Sequence, residues 1–159
     1  SFLIPLFSKI ALNSSPYLCI STSLSYNPYM DTCIFCKLGS GEIPSDKVYE
    51  DSNIIVFFDI YPVTDGHLLI IPKEHVVWMQ DAKDETISQI FILAKKLMLA
   101  LKSATNCDFV QVSIAGTEVP HLHVHLIPRY MNDGLANFPT KEYNKEKSKE
   151  ISDKIIGAL

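Results

Sequence analysis

The sequence predicts an α+β domain: an antiparallel sheet of about five strands with one long helix, a short N-terminal helix and a C-terminal helix. Three observations carry this expectation. Five short apolar runs are bounded by Pro, Gly and Asx residues, as strands are. One long stretch between them repeats its apolar residues every three or four positions, the period of a helix. Hairpin-like spacing on either side of that stretch favours antiparallel neighbours, with the helices packed on one face. At 159 residues, 47% hydrophobic and 20% charged, the chain can build one ordinary globular core.

Residues 1–29 stand apart, with seven serines, a single lysine and no acidic residue. Met30 is the expected natural start, which makes residues 1–29 an upstream extension; a targeting segment is the alternative. The extension is expected to pack poorly, and residues 30–159 to form the domain. Ile34 to Leu38 suits a short helix stopped by Gly39-Ser40-Gly41. Val48–Glu50 and Ile54–Phe58 make a hairpin about Asp51-Ser52-Asn53. Asp59 to Gly66 is a connection, and His67 to Ile71 a nearly all-apolar strand that ends at Pro72. Ile87, Ile90, Phe91, Ala94, Leu97, Met98 and Leu101 form one stripe along the long helix, with Asp81 or Asp84 as its N-cap. Phe109–Ile114 and Leu122–Ile127 are the last strands, separated by a turn at Ala115-Gly116. Lys141–Leu159 reads as a charged terminal helix with Ile151, Ile155 and Ile156 on one side.

The last strand holds the chemistry. In Pro120-His121-Leu122-His123-Val124-His125-Leu126 the side chains alternate, so three imidazoles share one face and Leu122, Val124 and Leu126 the other. The apolar face is expected against the long helix, and the histidine face along an open cleft. Three titratable rings in a row point to a metal-binding face or to a nucleophilic histidine with helpers. A formal charge of −4 argues against nucleic acid as a partner but leaves room for a small phosphate site. No apolar run reaches the roughly 18 residues of a membrane span. Four cysteines in a chain with an adequate core need not pair, so a reducing compartment, the cytoplasm, is expected, with Cys107 a buried thiol. Cys33-x-x-Cys36 together with distant histidines suits a closed zinc site; a redox pair is the competing reading, although no βαβ context surrounds it.

Five segments in collinear order closely resemble the histidine-triad (HIT) superfamily, in its Hint branch of nucleoside phosphoramidases and dinucleoside polyphosphate hydrolases. They are Cys33-x-x-Cys36, Val48-Tyr49-Glu50-Asp51, Phe57-Phe58-Asp59-Ile60, Gly66-His67 through Pro72-Lys73-x-His75, and His121-x-His123-x-His125-x-x-Pro128-Arg129. The resemblance implies attack on the α-phosphate of a purine nucleotide by His123, through a covalent nucleotidyl-histidine. It implies that His125 donates to the phosphate and that His67 lies near the same cleft. It places Asp59 on the ribose hydroxyls and makes Ile34, Phe35, Leu38, Phe57 and Ile60 the base slot. Gly116, Thr117 and Glu118 are implied as the phosphate turn. Here the chain departs from many relatives, which carry Gln and then Ser or Thr where this one has Thr117 and Glu118. An acid at 118 would bind a cationic leaving amine, turn away, or repel a polyphosphate tail. The resemblance further implies structural zinc (Zn2+) on Cys33, Cys36, His75 and His121, and a homodimer joined through the long helix and a strand edge. Two other whole-protein readings remain open: a tri-histidine metallohydrolase and a non-catalytic nucleotide-binding module.

Overall fold

Alternation along the strands decides the architecture. In the computed structural model, which describes residues 32–135 and 141–159, two short hairpin strands come first, β1 (Lys47–Glu50) and β2 (Ile54–Phe58). β3 (Leu68–Pro72), β4 (Phe109–Ile114) and β5 (Val124–Arg129) complete one antiparallel sheet in the order β1-β2-β3-β5-β4. Three helices accompany it: α1 (Ile34–Ser40), α2 (Asp84–Thr105) and α3 (Lys145–Ile156). The expected extension, residues 1–29, lies outside the described residues.

Ile54, Val56, Leu68, Ile70, Leu122, Val124 and Leu126 point to one side and bury against Ile90, Ala94, Leu97 and Leu101 of α2. The intervening Ile55, Phe57, Leu69 and Ile71 point to the other side, where Cys33, Phe35, Cys36 and Leu38 cover them. α1 and α2 therefore do not share one face, as expected from sequence, but flank the sheet. The reason is that α1 has its own apolar residues to bury, and β2 and β3 are apolar on both faces. The same roof corrects the expectation of an open histidine cleft: His121 is 0% and His123 5% exposed.

Two boundaries also shift. The cap position of α2 is Lys83, in extended backbone and without a side-chain cap bond; Asp81 belongs to the preceding 3-10 turn, and Asp84 opens the helix. Asp84 and Glu85 still place negative charge in the first turn, where the helix dipole favours it. β5 starts at Val124 rather than Leu122, because the Leu122 N–H bonds to Val76 O at 2.6 Å, just after β3, instead of joining the sheet ladder. Asn144 caps α3 through its side chain and so shortens the expected terminal helix. No helix among the described residues is long and apolar enough to cross a membrane.

Candidate active site and metal-ligand cluster

The three histidines of the 121–125 run share the α1-facing side of the sheet, yet their ring nitrogens meet different partners. His123 Nδ1 lies 2.6 Å from its neighbour's carbonyl, His121 O. A carbonyl can only accept, so Nδ1 carries the proton and Nε2 is left with a free lone pair. The Phe35 ring packs edge-on against His123, centroids 5.1 Å apart, and keeps water from that side.

His125 belongs to a chain of contacts that begins in the loop after β2. The Val63 N–H donates to His67 Nδ1 at 3.2 Å, which puts the His67 proton on Nε2. That nitrogen sits 2.9 Å from His125 Nδ1 and donates to it, leaving an N–H at His125 Nε2. Asp59 stands behind, its Oδ2 3.5 Å from His67 Nδ1 and its Oδ1 accepting the Tyr61 N–H at 2.8 Å. Burial lowers the pKa of His67 despite Asp59. Burial first, then His123 and His67, pushes His125 down to about 4. The pair is thus neutral at physiological pH, the state this donor order requires.

His121 faces elsewhere. Its Nε2–H donates to Pro72 O at 2.8 Å, so Nδ1 is the bare nitrogen, and it lies 3.4 Å from Cys33 Sγ and 3.6 Å from Cys36 Sγ. Cys36 Sγ is also 3.2 Å from His75 Nδ1. The four ligand atoms of Cys33, Cys36, His75 and His121 lie within 4.8 Å of one another. A tetrahedral zinc with ordinary Zn–S and Zn–N bonds has S···N edges of about 3.6 Å, which these separations match. Burial, followed by the neighbouring Cys33, raises the Cys36 thiol to about 12, a penalty that a bound cation reverses. The donor set fits zinc. It also separates His121 from its two successors: with one nitrogen on Pro72 and the other on sulfur, no tri-histidine metal face forms.

The remaining expected residues divide. Phe35, Leu38 and Phe57 are buried together, with Phe35 and Phe57 rings 5.8 Å apart, whereas Ile34 and Ile60 are exposed, Ile60 by 80%. Thr117 and Glu118 are exposed, and Glu118 borders a pocket of about 230 Å³ with Cys33, His75 and Pro120. Gly116 has no left-handed backbone requirement; its bare side instead faces Trp78, and a Cβ there would lie 3.2 Å from Cζ3. Three groups on these networks escape sequence reasoning: the Val63 N–H and the Pro72 carbonyl, because backbone groups leave no residue signature, and Trp78, which nothing ties to Gly116 until the chain is folded.

The HIT domain family model matches residues 40–132. The chain belongs to the HIT family. It is 38% identical to the adenosine 5′-monophosphoramidase of Saccharomyces cerevisiae over 152 residues, covering 93% of this chain and 96% of that one. A HIT family protein of Bacillus subtilis, solved by crystallography, superposes with a TM-score of 0.72 at 37% identity, covering 80% of this chain and 96% of that one. A zinc-bound histidine-triad protein of Mycobacterium smegmatis superposes at 0.63 with 29% identity, over 82% of this HIT chain and 99% of that one.

Proposed function

We propose that this HIT protein is a nucleoside phosphoramidase or related nucleotidyl hydrolase that acts on the α-phosphate of a purine nucleotide through His123. The observation that carries the reading is the division of protons between adjacent rings. His123 keeps Nδ1–H on the His121 carbonyl and leaves the Nε2 lone pair free; His125 is ordered by His67 to present an N–H. One ring is a nucleophile and the other a hydrogen-bond donor. His123 Nε2 forms a bond to phosphorus as the P–N bond breaks; His125 Nε2–H donates to a phosphoryl oxygen where charge builds, and the departing nitrogen takes its proton from water. The hydroxide so formed attacks the nucleotidyl-histidine and frees His123 and the nucleoside monophosphate. Asp59 receives the ribose hydroxyls, the apolar surface formed by Ile34, Phe35, Leu38, Phe57 and Ile60 receives the base, and the 116–118 turn receives the phosphate. The similarity to the yeast adenosine 5′-monophosphoramidase supports the substrate class.

Zinc on Cys33, Cys36, His75 and His121 has a structural role in this reading, because four protein ligands leave no position for water. It ties α1 and the segment after β3 to the run before β5. A reducing compartment is the one in which Cys33 and Cys36 stay available as zinc thiolates. Exposed Phe109, Val112 and Ile114 on edge strand β4 support pairing of two copies.

Intact-protein mass spectrometry during turnover of adenosine 5′-phosphoramidate tests the mechanism. An adduct one AMP heavier, present in wild type and absent in His123→Ala, is the expected result. Undiminished turnover by His123→Ala would overturn it.

A further inference from the structure

We propose that Trp78 is a positioning residue for the phosphate turn, and that Gly116 is glycine to admit its indole; this rests on the phosphate-binding reading of residues 116–118. Gly116 lacks a positive φ, so backbone freedom does not account for it. What a side chain would meet does: Trp78 Cζ3 at 3.2 Å, Cε3 at 3.4 Å and the Val77 carbonyl at 3.4 Å. A methyl 3.2 Å from an indole edge is tighter than ordinary contact, so with a Cβ at 116 the ring or the turn must give by a few tenths of an ångström.

The backbone that carries the indole is itself held. Upstream, Val76 packs into the α2-side core and its carbonyl takes the Leu122 N–H at 2.6 Å. Downstream, the Trp78 carbonyl takes the Asp81 N–H at 3.0 Å, closing the 3-10 turn that begins at Met79. Trp78 is 40% exposed, so its role is not to fill the core. One side of its ring backs a turn whose residues 117 and 118 are otherwise exposed. Such a turn has few contacts of its own, and N–H groups that bind an anion must be ordered before the anion arrives. The rigid, two-torsion indole supplies that order at small entropic cost.

Binding of AMP and of adenosine to the metal-loaded full chain separates this role from general support. Trp78→Ala is expected to weaken AMP about tenfold, as the loss of an ordered charge-assisted contact does, and adenosine less than twofold. Trp78→Phe should recover most of the AMP affinity, and Gly116→Ala should repeat the selective loss in case Trp78→Ala fails to fold. The one tryptophan of the chain also provides a direct signal: its fluorescence should respond to AMP and not to adenosine. Equal loss of both ligands, or unchanged AMP affinity in a folded Trp78→Ala protein, would overturn the proposal. If the wild-type chain bound no AMP, the functional reading itself would fall and take this inference with it. Binding without turnover would leave the Trp78 inference standing and the catalytic reading alone in error.

Discussion

Two clusters stand two residues apart on one segment and use the same side chain for opposite ends. At His121 the ring is completely buried and its bare nitrogen faces two sulfurs. At His123 and His125 the partners are a carbonyl and another imidazole, which leave a bare nitrogen on the first ring and an N–H on the second. The histidines themselves are not distinguished by residue type or by the local period. The second partner of each ring decides: a soft ligand set closes a site, whereas a chain of hydrogen bonds that ends at a free nitrogen opens one.

That contrast can be broken from either side. The largest effect is expected at His123→Ala, with phosphoramidate turnover down at least about 10⁴-fold and AMP affinity within a few-fold, read by kinetics and calorimetry. Cys36→Ala should act on the other cluster alone: bound zinc falls from about one per chain to near zero by elemental analysis, with a stability loss on the order of 4 kcal/mol in denaturant melts. A Cys36→Ala protein that kept its zinc and its stability would remove the metal reading. His67→Phe keeps a ring in place but cannot donate, so kcat should fall about 100-fold, roughly 2.7 kcal/mol, while AMP still binds. Unchanged kcat would show that the order of protons along His67 and His125 is incidental.

The smallest effect is a pH dependence that both clusters share. His121 and His125, each near 4 when folded, bind protons more readily in the unfolded chain, whose histidines titrate near 6.5. Between those values the unfolded state holds more protons, so stability is full above about pH 6.5 and declines as pH falls towards 4. Melts of the chelator-treated chain should show stability falling steadily across that window. A flat profile would contradict the burial of these rings.

Much of this was legible in the chain. The alternation of His121, Leu122, His123, Val124, His125 and Leu126 correctly assigned the two faces, and the stripe from Ile87 to Leu101 located α2. The placement of α1 was not legible, since Phe35 and Leu38 would bury against either face of a sheet and only the long-range meeting with Ile55, Phe57, Leu69 and Ile71 selects one. The cap of α2 is ambiguous in sequence, because an aspartate before an apolar stripe signals a first-turn charge as well as an N-cap. In the site, residue identities were visible but the order of protons was not, since it depends on Val63 and Pro72 backbone groups that any residue could supply.

The pairing of β5 with β3, Leu69 opposite His125 and Ile70 opposite Val124, has one more consequence. Sliding that strand by a single position would turn the histidines into the oily side beneath α2 and the leucines towards the cysteines. A misaligned chain would lose its core and its chemistry together, with no partly working intermediate to persist. On the proposed reading, the segment that carries the chemistry thus also proofreads its folding, since a chain whose His121 meets the cysteines and whose His123 meets the His121 carbonyl has, by that fact, aligned its central strands.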